Sequence, residues 1–146
     1  MRKFISHSVK ETEAIAANLA SELSPNTVVA YKGSMGMGKT AFTRGILSGL
    51  GADDIVSSPT FALVNEYSTP KFTVYHFDMY RVTTWDDLYS TGFFDYLDSG
   101  AVLLIEWSEN IEGALPEGTV AVSISQGENE NDRIITIDLA PPVQGE

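Results

Sequence analysis

The residues best equipped for chemistry are eight in a row: Gly33-Ser34-Met35-Gly36-Met37-Gly38-Lys39-Thr40. The spacing is G-x-x-x-x-G-K-T with no position missing, the pattern of a loop that wraps its backbone N–H groups around a di- or triphosphate. Gly33, Gly36 and Gly38 allow that close approach, because a Cβ would clash or forbid positive φ. Lys39 is the group to reach the β- and γ-phosphates, and the Thr40 hydroxyl is the group to hold Mg²⁺. An apolar run, Thr27 to Tyr31, precedes the loop and reads as a strand. Ala41 to Leu47 follows and reads as a helix, whose N-terminus adds positive potential.

Such a loop needs a carboxylate at the end of a neighbouring strand to orient Mg²⁺ or the attacking water. Two candidates stand out. Glu106 ends the unbroken apolar run Ala101 to Ile105, and Asp78 ends Phe72 to Phe77. The pattern favours Glu106 on the metal side and Asp78 as a second metal-shell or water-positioning group, and these roles are exchangeable. Thr60, in Ser58-Pro59-Thr60-Phe61, lies where nucleotide-sensing segments often follow the loop helix. Its hydroxyl is a candidate for Mg²⁺ or the γ-phosphate, against the plainer reading of a proline turn before a strand. Trp107 beside Glu106 reads either as a ligand or partner contact or as a rim aromatic. His76 reads as a hydrogen-bonded core residue more readily than as a base, His7 as a surface residue, and Arg44 and Arg81 as surface cations or phosphate neighbours.

These groups must be positioned by ordered elements. Ser8 to Leu23 has helical spacing, with Ile15, Leu19 and Leu23 on one face and a capping box in Ser8 and Glu11. Phe61 to Tyr67 and Phe72 to Phe77 read as a hairpin with a four-residue connection. Thr84 to Ser90 and Phe93 to Leu97 read as short helices. Ala101 to Ile105 suits a central strand covered on both faces. Thr119 to Ser125 and Arg133 to Leu139 alternate as half-buried strands do, joined by the acidic loop Gly127 to Asp132. The sum is a three-layer α/β domain of the P-loop NTPase kind. It has a mixed sheet of about seven strands and antiparallel additions at an edge. One domain over 1–140 and a flexible tail over 141–146 are expected.

Composition narrows the classes. With 146 residues and 43% hydrophobic content the chain can bury a real core. The longest apolar runs fall far short of the ~18 residues needed to cross a bilayer. The N-terminus turns polar at once, so the cytoplasm is the expected location. Cysteine is absent, and the two histidines are far apart, so no zinc or other transition-metal site is expected. Net charge is −11, with 20 acidic against 9 dispersed basic residues. That balance repels a nucleic-acid backbone and points instead to docking on a basic partner.

Taken together, Gly33 to Thr40, Ser58-Pro59-Thr60-Phe61 with Asn65-Glu66-Tyr67, His76-Phe77-Asp78-Met79-Tyr80-Arg81 and Ile105-Glu106-Trp107 resemble the bacterial TsaE family. Members are small ATPases required for threonylcarbamoyladenosine modification of tRNA. The resemblance covers most of the chain. It implies ATP or ADP held along Gly33, Ser34, Met35, Gly36, Met37, Gly38, Lys39, Thr40 and Ala41, with Val9 near the adenine and Arg133 near the nucleotide. It implies Mg²⁺ at Thr40 and Glu106, and essential roles for Lys39, Asp78 and Glu106. Thr60 then belongs to a switch segment, and Trp107 lies beside the active site. The implied partners are TsaB and TsaD, whose complex performs the transfer and carries most of the tRNA contact. Ser34, Met35, Met37 and Ala41 depart from the family's usual residues without removing a phosphate ligand.

Three functions compete on this evidence. The first is a partner-dependent ATPase with slow intrinsic hydrolysis. The second is a small-molecule kinase, disfavoured by the absence of an Arg-rich insertion. The third is a non-catalytic, nucleotide-gated binding module in which ATP orders the Ser57 to Thr60 segment. A GTPase is disfavoured because no N-K-x-D sequence is present.

Overall fold

The computed structural model describes residues 2–32, 38–52 and 64–139. The strands are β1 (Arg2–Ser6), β2 (Val28–Lys32), β3 (Val64–Ser68), β4 (Thr73–Asp78), β5 (Val102–Glu106), β6 (Val120–Gln126) and β7 (Arg133–Leu139). The helices are α1 (Val9–Ala20), α2 (Lys39–Gly49), α3 (Trp85–Ser90) and α4 (Phe93–Tyr96), with a kinked 3-10 segment over Ser108–Ala114. The strands make one mixed sheet in the order β1-β7-β6-β2-β5-β4-β3. Among the described residues, no helix is long and apolar enough to cross a membrane.

The centre of the sheet is parallel. β2 pairs with β5 and β6, and β4 pairs with β5, all in parallel register. β2 and β5 are buried along their whole length except at the last residue, which is why their sequences are continuous apolar runs. Side chains alternate between two cores. Val29, Tyr31, Val102 and Leu104 face α1 and α2. Val28, Leu103 and Ile105 face α3, α4 and the 3-10 segment. Two apolar layers, one on each face of the sheet, give the expected three-layer α/β architecture.

Antiparallel strands close both edges, not one. The β3–β4 hairpin lies at one end, and β6, β7 and β1 lie at the other. β1 is the strand that sequence reading passed over: Arg2 and Lys3 look like a polar start, and the five residues are too few to show a strong period. It forms because it pairs along its length with β7 and inserts Phe4 against the core.

α1 begins at Ser8, whose Oγ accepts from the Glu11 N–H at 3.1 Å, while Glu11 accepts from the His7 N–H at 2.9 Å. The first bond satisfies one orphan donor at the helix start; the second goes to the residue before the cap instead of to the Ser8 N–H of the expected capping box. α1 lies directly on α2, and glycine makes that contact possible. A Cβ at Gly45 would stand 2.4 Å from the Glu13 carbonyl oxygen, and one at Gly49 would stand 2.9 Å from the backbone of Ala17.

Candidate nucleotide site

The site is assembled at the C-terminal ends of the parallel strands, where open α/β sheets bind ligands. β2 leads into the glycine loop, whose residues Gly33, Ser34, Met35, Gly36 and Met37 lie outside the described residues, as do Thr60 and the rest of the 53–63 segment. The loop's far end is described. Gly38 caps α2 at φ 101°, a conformation that disfavours any side chain, and among the described residues no side chain caps this helix start. The first turn of α2 therefore presents backbone N–H groups and the positive end of the helix dipole at the mouth of the loop.

Lys39 begins α2 and is buried, 5% exposed. Among the described residues its ammonium has no carboxylate partner; its Nζ lies 5.9 Å from the centroid of the Trp107 ring. A cation taken out of water without a counter-charge is costly. An anion at the helix N-terminus would supply the missing charge.

Asp78 and Glu106 end β4 and β5, and the parallel register sets them directly side by side. Asp78 Oδ1 accepts from the Tyr80 N–H at 3.0 Å, which turns the chain away from the sheet. Glu106 is largely covered, and its Oε2 lies 2.7 Å from Nε2 of His76, a core residue 1% exposed. The contact is short but off the ring N–H direction: neither nitrogen of His76 has an aligned hydrogen bond. His76 is thus a core residue set directly behind the carboxylate, without the satisfied hydrogen bond that sequence suggests. Among the described residues, no group of three or more His, Asp or Glu side chains is arranged to hold a metal. A site with one or two carboxylates and a threonine fits Mg²⁺, which keeps waters and shares phosphate oxygens instead of needing an all-protein cage.

Trp107 links the parts. Its backbone is left-handed, φ 60° and ψ 38°, which costs a non-glycine residue about 1–2 kcal/mol. This bend swings the chain from β5 into the 3-10 segment and sets the indole beside Lys39. Tyr80 meets the indole edge-on at 4.9 Å. The Met79 N–H donates to the Glu106 carbonyl at 3.0 Å, and Asn110 Nδ2 donates to the Met79 carbonyl at 2.8 Å. Ser108 Oγ donates to the Tyr31 carbonyl at 2.9 Å, fixing the same segment to the end of β2. On the other side of β2, the buried Tyr31 hydroxyl meets Thr43 Oγ1 of α2 at 2.7 Å, and burial pushes that phenol's pKa far up.

A cleft of about 410 Å³ opens beside Gly38, lined by His7, Ser8, Val9, Thr12, Gly38, Ala41, Asn131 and Arg133. It brings together Val9, Gly38, Ala41 and Arg133, four of the residues singled out from sequence. Its volume suits a small ligand. Arg133 Nη1 donates to the carbonyls of Glu130 and Asp132, both at 2.8 Å, so the hairpin holds the guanidinium at the cleft. His7 Nδ1 and Asp132 Oδ1 lie 2.8 Å apart and join the start of α1 to the β6–β7 hairpin. That hydrogen bond, then the charge of Asp132, raises the His7 pKa. The same bond lowers that of Asp132, with Asn129 helping. His7, Thr12 and Asn131 reach this cleft because of β1, whose register with β7 puts Ser6 opposite Arg133. Arg44 is not at the site: it pairs with Glu13 at 3.1 Å on the surface.

Known proteins resemble this chain over most of its length. The sequence model of the family described as "Threonylcarbamoyl adenosine biosynthesis protein TsaE" matches residues 6–135. The chain is 40% identical over 132 residues to the tRNA threonylcarbamoyladenosine biosynthesis protein TsaE of Rickettsia prowazekii, covering 90% of each. It is 37% identical over 127 residues to the protein of that name from Bacillus subtilis, covering 87% of this chain and 78% of the relative. The crystal structure of Bacillus subtilis YdiB superposes with a TM-score of 0.76 at 30% identity, covering 96% of this chain and 86% of that one.

Proposed function

Because the chain belongs to the TsaE family, whose place is threonylcarbamoyladenosine biosynthesis, we propose that it is the Mg²⁺-dependent ATPase of that tRNA-modifying machinery. The observation that carries this reading is Lys39: a buried ammonium, without an ion pair among the described residues, at the start of a helix that follows a complete phosphate-loop sequence.

In this reading the backbone of Gly33 to Gly38 and the first turn of α2, through Ala41, embrace the phosphates. Lys39 neutralises the β- and γ-phosphates. The adenine and ribose take the cleft between Val9 and Arg133. Thr40 and Glu106 are the groups that would hold Mg²⁺, which when bound supplies charge neutralisation at the phosphates. Asp78, fixed beside Glu106 by register, orients water or the metal's shell. Thr60 belongs to a segment that senses the γ-phosphate. Trp107 covers Lys39 and transmits its position to the 3-10 segment. The protein works in the cytoplasm with the TsaB–TsaD pair and supports that pair's turnover; tRNA is contacted through the partners, as the net charge of −11 favours.

A second reading, a nucleotide-gated binding module without productive hydrolysis, draws on the left-handed Trp107 backbone, a strained bend between the phosphate lysine and a surface segment. The two separate by experiment. The ATPase reading expects hydrolysis that rises with the partner pair and disappears in Lys39→Ala. Full hydrolysis by Lys39→Ala would remove the site assignment. Tight ATP binding and ATP-dependent partner binding without turnover would select the module.

A further inference from the structure

Away from the cleft, the face built by α3, α4 and the 3-10 segment combines two features. The first is exposed aromatic surface. Trp85 and Tyr89 are 57% and 65% exposed, although α3 buries only Leu88. They flank Phe94: Trp85 stacks on it at 6.5 Å and 16°, and Tyr89 meets it at 5.0 Å. Beside Trp85 a groove of about 150 Å³ runs between the start of α3 and the 3-10 segment, with Val82, Leu88, Asn110, Ile111 and Ala114 among its walls. Trp85 closes one side of it, 3.9 Å from where a Cβ on Gly113 would stand. The walls also carry Thr83 and Thr84, so the groove is mixed, apolar at its floor and polar at its rim. Aromatics left in water around such a groove are the anatomy of a contact site, not of a folded interior.

The second feature is charge. From Val82 to Asp132 the chain carries carboxylates throughout and no Lys, Arg or His. On this face Asp86, Asp95, Asp98, Glu109 and Glu112 are all exposed. Asp87 is held ionised by the backbone and side chain of Thr83, which lower its pKa. Lys32 pairs with Glu112 at 3.2 Å from β2, and Arg81 stands at the segment's start; these are the cations nearby in sequence or contact. Such a surface repels nucleic acid, an anionic lipid headgroup layer and a second copy of this acidic chain. Its complement is a protein segment that is apolar in the middle and cationic at its flanks.

We propose that the groove between α3 and the 3-10 segment, edged by Trp85, Tyr89 and Phe94, is a docking surface for a basic, apolar segment of a partner protein. The location ties docking to the site. Asn110 lines the groove and holds the Met79 and Tyr80 carbonyls, and the 3-10 segment begins at Trp107 over Lys39. An occupant that shifts this segment is felt at the phosphate lysine. The surface stands on its own aromatics and charge; its link to nucleotide turnover rests on the ATPase reading above.

The test uses the full chain and two variants: Trp85→Ala with Tyr89→Ala, and Asp86→Lys with Glu109→Lys. Affinity for the purified TsaB–TsaD pair is measured by calorimetry, with ATP affinity as the control. Each variant should weaken the pair by about tenfold or more, the size expected of a central aromatic anchor, and leave ATP affinity unchanged. In parallel, the ¹⁵N-labelled chain is titrated with a twelve-residue lysine–leucine peptide and a glutamate–leucine counterpart. The cationic peptide should shift the Trp85 indole and the amides of α3 and the 3-10 segment; the anionic one should not. Equal binding of the pair by wild type and both variants would overturn the surface while leaving the ATPase reading intact. Failure of the pair to bind wild type would remove the partner assignment, and the peptide titration would then decide the surface: shifts spread evenly over the acidic chain, or none, overturn it.

Discussion

Replacing Gly45 by alanine should destabilise this protein even though alanine is the better helix former. The added methyl would stand 2.4 Å from the Glu13 carbonyl oxygen, 2.8 Å from Glu13 Cα and 2.7 Å from the Ala16 Cβ. An ordinary carbon–oxygen contact is about 3.3 Å, so α1 must retreat from α2 by roughly 1 Å. Two of the three obstructing atoms are backbone, so no rotamer change relieves the clash. A gap of that size forfeits a quarter to a half of the dispersion energy between facing atoms. It falls on a fully buried seam that includes Ala16, Leu19, Phe42 and Ile46. Overpacking of this kind costs about 1–3 kcal/mol, and here the upper end applies. Alanine returns about 1 kcal/mol of helix propensity. The net loss is about 2 kcal/mol, or about 4–8 °C in Tm for a chain of this size. Urea denaturation and thermal melts followed by circular dichroism measure both. Gly49→Ala, whose methyl would meet Ala17 at 2.9 Å, should lose about half as much. A Gly45→Ala variant as stable as wild type would refute the claim that glycine sets the α1–α2 distance.

Other predictions follow from single contacts. Trp107→Gly should be about 1 kcal/mol more stable than Trp107→Ala, because both lose the ring but only glycine tolerates φ 60° without cost; equal stabilities by urea denaturation would mean the bend is unstrained. Ser108→Ala should cost about 1–2 kcal/mol by leaving the Tyr31 carbonyl without its donor in a buried place. The His7–Asp132 pair should make stability depend on pH with a definite sign. The raised His7 value means its contribution is full below its unfolded pKa and is lost as pH rises through the folded one. The lowered Asp132 value means its contribution is present above its unfolded pKa and is lost as pH falls through the folded one. The Tm difference between wild type and His7→Ala should therefore be largest between about pH 4 and 6.5 and shrink toward pH 9; a difference that grows with pH would contradict the pairing.

Much of this molecule can be read before it is seen. The strand β2 and the helix α2 are legible because an apolar run and a helical period stand on either side of Gly38 and Lys39. Glu106 and Asp78 are legible as strand ends because each closes an apolar run, and the parallel register of β4 and β5 sets them side by side. What sequence conceals is what depends on partners far away in the chain. β1 is short and begins with two cations, and only β7 makes it a strand. Missing it hides the His7–Asp132 pair, whose members are 125 positions apart. Gly45 looks like a flaw in a helix until α1 is laid against it. The strained backbone of Trp107 leaves no local signature, since the pull comes from Ser108 bonding to β2 and Asn110 bonding to the chain after β4.

The central claim is that Lys39 and Glu106 serve a nucleotide that the chain hydrolyses in concert with its partners. The most direct test is steady-state release of phosphate from ATP by the purified chain, alone and with purified TsaB–TsaD and tRNA, for wild type, Lys39→Ala and Glu106→Ala. Wild type alone should hydrolyse ATP slowly, the full mixture should raise the rate, and both variants should lose it. Hydrolysis that persists in Lys39→Ala, or that is indifferent to Glu106→Ala, would contradict the claim.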